Sequence, residues 1–461
     1  MRRTLVLNVV GLTSELLGED TPNLRHLGQR GTARPLSTIV PAVTCSVQAS
    51  MLTGKLPREH GIVGNGWYFE DLAEIWFWRQ SNRLVQAPKI WEMGRERDRA
   101  FTCANLFWWY NMYSSVDWSV TPRPQYPADG RKIPDIYTQP AELRDELVHK
   151  LGEFPLFRFW GPGADIVSSR WITQAALHVM ETRKPTLTLV YLPHLDYDLQ
   201  RFGPDKDDAR VRRALRDVDA LCGELMDAAR RDGASVIALS EYGITSVTGA
   251  VAINRALRRA GWLRVRNESG RELLDAGASD AFAVVDHQVA HVYVSRPELL
   301  GEVKRVLEGL DGVERVLDRD GMRELGLDHP RAGALFAISR AERWFSYHYW
   351  LEPERAPDFA TTVDIHKKPG YDPVELFIDP KIALPKAAIG LRLLKRKAGF
   401  RALMDVISSE DVELVKGSHG RLTDRPEQGP VFLSERPELL SDGPVAATSV
   451  AELILRHVFE G

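Results

Sequence analysis

The chain has 461 residues, of which 44% are hydrophobic and 27% charged, and this composition excludes an intrinsically disordered protein. The formal net charge is −3, from 60 basic and 63 acidic residues, so we expect no nucleic acid polymer as a partner. Three widely spaced cysteines argue against a disulfide framework. No apolar run approaches the ~18–20 residues that cross a bilayer.

The N-terminal segment predicts a buried strand rather than a secretion signal. Residues 4–10 form a short, mostly apolar run that ends at Gly11, as is typical of strands in parallel sheets. A signal peptide needs a longer apolar stretch and a cleavage site of small residues, and neither follows Met1. We therefore expect a cytoplasmic protein.

Strand and helix signals alternate through the first half of the chain. Helices are predicted from Pro22 to about Gly31 and from Thr44 to Gly54, because each ends at a glycine stop signal. The next signals are a helix at 170–181, a strand at 186–192, an amphipathic helix at 207–231 and a strand at 235–240. This alternation predicts an α/β fold with a mainly parallel central sheet covered by helices on both faces.

The pattern changes between residues 252 and 345, where we predict a small inserted α/β cap. Residues 281–294 are rich in β-branched and aromatic side chains and predict a hairpin that turns near Asp286. A helix at 297–309 and a strand near 313–317 follow, and two more strands are predicted near 361–366 and 374–378. The predicted division is a core of 1–251 and 346–461 with the cap at 252–345.

Polar side chains follow the predicted strands, where ligands bind in parallel α/β sheets. Thr44 begins a helix whose free N–H groups and dipole favour a phosphate, although a simple helix cap is the alternative. His194, Asp196 and Asp198 alternate, so an extended backbone would place all three on one face. Carboxylates and imidazoles are ligands for divalent cations, and a solvated turn is the alternative.

Two further candidates lie later in the chain. Glu241 follows the strand at 235–240, and His419 lies in a glycine-flanked loop. For both residues the alternative interpretation is a solvated side chain. Pairs of acidic residues and histidines also occur on predicted strands, and for these we favour polar groups satisfied within the core. Those pairs are Asp286 and His287 with His291, and Asp364 with His366.

Four segments together resemble the type I phosphodiesterase/nucleotide pyrophosphatase branch of the alkaline phosphatase superfamily. They are TPNLRHLGQRG at 21–31, PAVTCSVQASMLTGKLPREHGIVGN at 41–65, DYDLQRFGP at 196–204 and GSHG at 417–420, in family order. The string LTG-x-x-P-x-x-HGI-x-x-N is the most specific of these motifs. The resemblance implies an alkaline-phosphatase-like fold. It also implies a hydrolase of phosphate esters, phosphodiesters or pyrophosphates that acts on a small phosphorylated substrate.

The resemblance also implies the roles of individual residues. Thr44 matches the family nucleophile, which lies between two metal ions that clamp the phosphoryl oxygens. Asp196 and His419 match two ligands of one metal. Glu241 keeps a carboxylate where the family has aspartate. The implied cofactor is therefore a divalent metal, zinc or manganese, held in an altered site by Asp196, Glu241 and His419.

The remaining family ligands are replaced in this chain. Val10 stands where the family has aspartate, and Gln200 and Tyr242 stand where it has histidine. Asn8 is a weak stand-in for the missing aspartate, and other side chains are candidate replacement ligands. These candidates are His194, Asp198, His287 and His366. The alternative function is a non-catalytic descendant that binds a phosphorylated or lipid-like ligand in the same cleft.

The segment 386–405 predicts a basic amphipathic helix. Leu391, Leu393 and Leu394 lie among lysines and arginines, a composition that favours peripheral contact with anionic lipid. A solvated surface helix is the alternative. The oligomeric state is left open by the sequence.

Overall fold

The computed structural model describes residues 1–460. Its α-helices are α1 (Pro22–Arg30), α2 (Thr44–Thr53), α3 (Pro57–His60), α4 (Ile90–Arg97), α5 (Glu142–Leu151), α6 (Ile166–Arg183), α7 (His194–Phe202), α8 (Ala209–Arg231), α9 (Ile253–Arg259), α10 (Leu300–Glu308), α11 (Arg319–Glu324), α12 (Pro385–Lys397) and α13 (Val450–Phe459). The strands of the first half are β1 (Thr4–Val9), β2 (Thr32–Ser37), β3 (Gly66–Phe69), β4 (Glu74–Phe77), β5 (Cys103–Leu106), β6 (Trp118–Pro122), β7 (Ile136–Gln139), β8 (Leu187–Leu192) and β9 (Ser235–Leu239). Those that follow are β10 (Thr245–Ser246), β11 (Gly249–Val251), β12 (Arg264–Glu268), β13 (Arg271–Asp275), β14 (Ala281–Asp286), β15 (Val289–Val294), β16 (Val313–Leu317), β17 (Leu335–Ser339), β18 (Arg343–Phe345), β19 (Gly417–Ser418), β20 (Val431–Ser434) and β21 (Val445–Ala446).

A nine-stranded central sheet organises the fold, in the order β21-β2-β20-β9-β1-β8-β5-β6-β7. The five adjacent strands β9, β1, β8, β5 and β6 are parallel to one another. At the two ends of this run, β20 is antiparallel to β9 and β7 is antiparallel to β6. Every residue of β1 is buried, which requires cover on both faces of the sheet because side chains alternate along a strand. The predicted α/β class with a mainly parallel central sheet is confirmed.

A second sheet, β14-β15-β17-β16, is antiparallel and lies within the predicted cap. Strands β14 and β15 form the expected hairpin, whose closing pair is Asp286 and Val289. His287 occupies the turn with a left-handed backbone at φ 61°, a conformation that is uncommon for a residue with a side chain. The tip of this hairpin reaches the carboxyl edge of the central sheet. The boundaries at 252 and 345 stay a prediction.

The strands predicted near 361–366 and 374–378 do not form. Residues Asp358–Thr361 and Pro373–Leu376 are single 3-10 turns instead. Pro373 has no backbone N–H for a sheet ladder, and the Asp372 side chain accepts a hydrogen bond from the Val374 N–H, which stabilises the turn. The helix predicted over 386–405 is also shorter, because α12 ends at Lys397 and Gly399 follows with a left-handed φ of 86°.

Candidate active site

The candidate residues that follow separate strands meet at the carboxyl edge of the central sheet. Thr44 is the first residue of α2, Asp196 lies in the first turn of α7 after β8, and Glu241 follows β9. One phenol oxygen connects two of them: the Tyr242 hydroxyl lies 3.1 Å from Thr44 Oγ1 and donates to Asp196 Oδ1 at 3.2 Å. The parallel topology therefore assembles one polar cluster from three distant parts of the chain.

Thr44 does not cap its helix, so the cap interpretation of this residue is wrong. The N-cap is Val43, and no side chain makes a capping hydrogen bond there. The Thr44 hydroxyl is instead directed to Tyr242. Every residue of α2 is buried, and the Cys45 N–H donates to Asn65 Oδ1 at 2.9 Å. The start of α2 thus presents a hydroxyl at the positive end of a buried helix dipole.

Asp196 lies in a helix, so the expected extended segment with three residues on one face does not exist. Helix α7 begins at His194, directly after Pro193. Asp198 follows His194 by one turn, with 3.9 Å between His194 Nε2 and Asp198 Oδ2, and both side chains lie on a different face of the helix from Asp196. Asp196 Oδ2 accepts a hydrogen bond from Gln200 Nε2 at 2.7 Å. Burial raises the pKa of Asp196 to about 7, so this carboxyl titrates near neutrality.

Glu241 is held by two amides. Its Oε1 accepts hydrogen bonds from Asn8 Nδ2 and Gln48 Nε2, each at 2.5 Å, while its Oε2 is buried without a hydrogen-bond partner. Burial raises the pKa of Glu241 to about 8. Asn8 therefore orients this carboxyl, and its own Oδ1 is also buried without a partner. Gln48 was missed by sequence reasoning, because a glutamine inside a helix carries no distinctive signal.

Four stacked rings occupy the space beside this cluster, and we name Tyr242, His419, His287 and Tyr371 the ring stack. The Tyr242 and His419 rings are 3.5 Å apart at 6°, and those of His419 and His287 are 3.7 Å apart at 37°. The His287 and Tyr371 rings are 3.6 Å apart at 20°. His419 Nδ1 lies 2.9 Å from the Ala42 carbonyl oxygen, which makes it the donor. Burial lowers the pKa of both histidines, so both rings are neutral.

The hairpin tip is fixed against the start of α2. Asp286 accepts two hydrogen bonds from Asn65, from the backbone N–H at 2.8 Å and from Nδ2 at 3.0 Å. His287 Nδ1 lies 2.7 Å from Asp286 Oδ1, and its Nε2 is buried without a partner. His291 is a core polar group, with Nε2 2.9 Å from the Val63 carbonyl oxygen. The cap thus contributes His287 to the site, whereas His291 serves packing.

Two other candidate replacement ligands, Asp198 and His366, make their contacts away from the cluster. Asp198 is paired with Arg201 at 2.9 Å and with His194. His366 lies with Nδ1 3.3 Å from the Phe77 carbonyl oxygen. Tyr371 joins the site from a loop between 3-10 turns, and its hydroxyl donates to Gln200 Oε1 at 3.0 Å. Its role was missed, because no strand or motif precedes it.

The donor set does not fit the paired metal centre that the resemblance implies. Three family ligands are replaced by Val10, which has no ligand atom, and by Gln200 and Tyr242, which are poorer ligands than histidine. Both oxygens of Asp196 accept hydrogen bonds within the protein, and rings cover both faces of His419. Within residues 1–460, no three His, Cys, Asp or Glu side chains are grouped to hold a metal ion.

Stability is expected to fall as pH rises through the range in which Asp196 and Glu241 ionise. Their folded-state pKa values, about 7 and about 8, exceed the ordinary values of about 4. Between the unfolded-state and folded-state pKa values, the folded state therefore binds more protons than the unfolded state. The stabilising contribution of the two protonated carboxyls is present at low pH and lost toward pH 8. Thermal unfolding measured with chelator present should show Tm decreasing between about pH 7 and pH 9, above the range in which unfolded histidines take up protons.

Glu241→Gln should flatten this decrease, because the amide has no proton to lose. The matched control is Glu74→Gln, since Glu74 is exposed in the strand β4 and should leave the pH profile of the wild type unchanged. A Tm that rises between about pH 7 and pH 9, or that responds equally to both substitutions, would contradict the assignment.

Most of the chain matches one known protein family. The family described as type I phosphodiesterase/nucleotide pyrophosphatase matches residues 4–372. An uncharacterised pyrophosphatase/phosphodiesterase of Schizosaccharomyces pombe is 24% identical over 252 residues, which are 52% of this chain and 44% of that protein. The chain thus spans less than half the length of this curated relative.

Solved structures share the fold over almost the whole chain. Phosphonoacetate hydrolase from Sinorhizobium meliloti 1021, in complex with phosphonoformate, is 14% identical with a TM-score of 0.61, and the match covers 99% of this chain and 96% of that one. The murine ectonucleotide pyrophosphatase/phosphodiesterase 5, as an inactive threonine-to-alanine variant with AMP, is 14% identical with a TM-score of 0.59. That match covers 99% of this chain and 95% of the murine chain.

Proposed function

The chain belongs to the type I phosphodiesterase/nucleotide pyrophosphatase family, and we propose that it hydrolyses a phosphate ester, phosphodiester or pyrophosphate bond with Thr44 as the nucleophile. The observation that carries this proposal is the hydrogen-bonded sequence from the Thr44 hydroxyl through the Tyr242 phenol to Asp196. Such an arrangement gives a weakly acidic hydroxyl a route to a base. The substrate is expected to be small and phosphorylated.

The proposed first step is attack of Thr44 Oγ1 on phosphorus. As that bond forms, Thr44 passes its proton to the Tyr242 oxygen, and Tyr242 passes its own proton to Asp196 Oδ1. Burial raises the pKa of Tyr242 well above its ordinary value, so the Tyr242 phenol carries a proton both before and after each transfer. The leaving group departs with the bonding electron pair, and water then hydrolyses the phosphothreonine ester to regenerate the hydroxyl.

The position of Thr44 supports negative charge on a bound phosphoryl group. Thr44 lies at the first position of α2, where the N–H groups and the helix dipole favour anions. Tyr242 also lines a cavity of about 250 Å³, together with Thr38, Ala42 and Arg421. The ligands of the structural neighbours, the phosphate ester AMP and the phosphonate phosphonoformate, support a small substrate that carries a tetrahedral phosphorus group.

Tyr242→Phe tests the relay, because it removes the phenol oxygen and keeps a ring that stacks on His419. We expect turnover of a p-nitrophenyl phosphodiester to fall by about 10²- to 10⁴-fold, the range of general acid–base contributions. The matched control is Tyr347→Phe, since Tyr347 is buried and its hydroxyl has no hydrogen-bond partner. Equal turnover in the wild type and Tyr242→Phe would contradict the relay.

Metal content is a separate prediction, and no step above depends on it. The resemblance implies zinc or manganese held by Asp196, Glu241 and His419. Because only Asp196 and His419 remain of one family site, we expect any such ion to be weakly bound and removed by chelator. Elemental analysis before and after EDTA, on the wild type and His419→Ala, checks this expectation. Zinc that survives EDTA in the wild type and is lost in His419→Ala would contradict weak binding.

A non-catalytic ligand-binding protein is the second candidate, and the ring stack favours it. Tyr242 of the ring stack contacts Thr44, whose exposed fraction is only 4%, and the other three rings pack in turn behind Tyr242. A binder would retain a phosphorylated or lipid-like ligand without changing it. Equilibrium binding of AMP together with product analysis separates the two functions, because a binder yields saturation without products of phosphodiester or pyrophosphate cleavage from any substrate offered.

A further inference from the structure

Residues 379–406 form a surface segment whose two ends meet. The Asp379 N–H donates to the Val406 carbonyl oxygen at 2.8 Å, which ties the two ends together. The segment contains α12, none of whose residues is buried. We name residues 384–403 the basic arm, because this stretch carries six basic and no acidic side chains. The basic residues are Lys386, Arg392, Lys395, Arg396, Lys397 and Arg401.

Exposed apolar side chains are concentrated on the basic arm. Among the described residues, 14 large hydrophobic side chains are exposed, and six of them lie on these 20 residues. The six are Leu384 (72%), Leu391 (56%), Leu393 (52%), Leu394 (64%), Phe400 (69%) and Leu403 (48%). Scattered exposed leucines are normal on soluble proteins, but a cluster of this kind marks an interaction surface.

The helix in the basic arm has one face toward the protein and one away from it. On the inner side, Ile389 packs against a small apolar cluster and Arg392 pairs with Asp405 at 2.6 Å. On the outer side, Leu391 and Leu394 share a stripe because they are three residues apart, and lysines at 386, 395 and 397 flank that stripe. An apolar stripe bordered by lysines is typical of helices that lie in a membrane interface.

We propose that the basic arm docks the protein on an anionic lipid surface. The charge is complementary: within residues 1–460 only Arg392 of the six basic side chains pairs with a carboxylate, so the arm offers five positive charges on a chain whose net charge is −3. The exposed leucines and Phe400 would enter the boundary between headgroups and acyl chains, and the lysines would remain at the phosphate level. No helix within residues 1–460 is long and apolar enough to span a bilayer.

Co-sedimentation of the full chain with vesicles tests the proposal. We expect binding to phosphatidylcholine vesicles that contain phosphatidylserine, weaker binding to phosphatidylcholine alone, and loss of the difference as salt is raised. Lys395→Gln with Lys397→Gln should weaken binding to the anionic vesicles by about 30-fold, which is about fivefold for each positive charge removed. Leu391→Gln with Leu394→Gln should weaken binding to both kinds of vesicle.

Two matched controls lie outside the basic arm. Lys206 is an exposed lysine and Leu422 is an exposed leucine, so Lys206→Gln and Leu422→Gln should bind vesicles as the wild type does. The proposal is overturned if the wild type does not bind anionic vesicles at low salt. It is also overturned if the substitutions in the arm have no more effect than the controls, or if the leucine pair changes only self-association. All outcomes are independent of turnover, so they are separate from the tests of Thr44.

Discussion

Thr44→Ala is expected to reduce turnover of a phosphodiester by about 10⁴-fold or more, because it removes the atom proposed to attack phosphorus. The same change removes one hydrogen bond to Tyr242, so the free energy of unfolding should fall by only about 1 kcal/mol. Steady-state kinetics and thermal unfolding of the purified variant measure the two effects independently. A large loss of turnover with a small loss of stability identifies a chemical role.

Thr44→Ser is the matched variant, because it keeps the hydroxyl and loses only a methyl group. We expect it to retain turnover within about tenfold of the wild type. If Thr44→Ala turns over substrate as fast as the wild type, Thr44 is not the nucleophile. An equal and large loss in both variants would also contradict the proposal, since it would show that packing of the methyl group, rather than the hydroxyl, is what matters.

Lys368→Met is expected to cause the largest loss of stability, about 3–5 kcal/mol. The Lys368 ammonium is 1% exposed and pairs with Asp372 at 2.7 Å and Glu375 at 2.8 Å. Glu375 also accepts a hydrogen bond from Trp160 Nε1 at 2.5 Å. Removing the lysine leaves two carboxylates buried without a cation, which costs more than the original pair contributes. Urea unfolding of the wild type and the variant gives the difference.

A compensated variant tests the cause of that loss. Lys368→Met combined with Asp372→Asn and Glu375→Gln removes the uncompensated charges, so most of the lost stability should return. Lys206→Met is the control at an exposed lysine and should be nearly neutral. If Lys368→Met loses less than about 1 kcal/mol, the buried cluster does not have the energetic role assigned to it. Tyr371 of the ring stack lies within this segment, so the cluster also positions the site.

The sequence predicts the central sheet well, because buried parallel strands appear as short apolar runs. Strands β1, β8 and β9 lie within one or two residues of their predicted bounds. The meeting of Asp196 and Glu241 also follows from sequence, since each follows a predicted strand and parallel strands place their carboxyl ends at one edge. The strand β2, which leads toward Thr44, was not predicted. Alternation of His194, Asp196 and Asp198 was misleading, because the same residues satisfy a helix that begins directly after Pro193.

The ring stack could not be predicted. His287 reaches the site from a hairpin tip and Tyr371 from a loop, and their contacts with His419 are set by tertiary packing alone. Sequence identifies the family ligands that are replaced, yet it does not show what fills their space. The two amides that donate to Glu241, from Asn8 and Gln48, could not be predicted either. Nothing in the sequence distinguishes these two polar residues from others, and only the fold places them beside the carboxylate.

Thr44 is tested most directly as the nucleophile by identifying the residue that becomes covalently modified during turnover. Wild-type protein is mixed with a hydrolysable phosphodiester, quenched in acid within the first turnovers, digested and analysed by peptide mass spectrometry. We expect a phosphoryl or nucleotidyl group on Thr44, absent from Thr44→Ala and accumulating more slowly in Tyr242→Phe. Modification of another residue, or turnover without any adduct on Thr44, would contradict this role of Thr44.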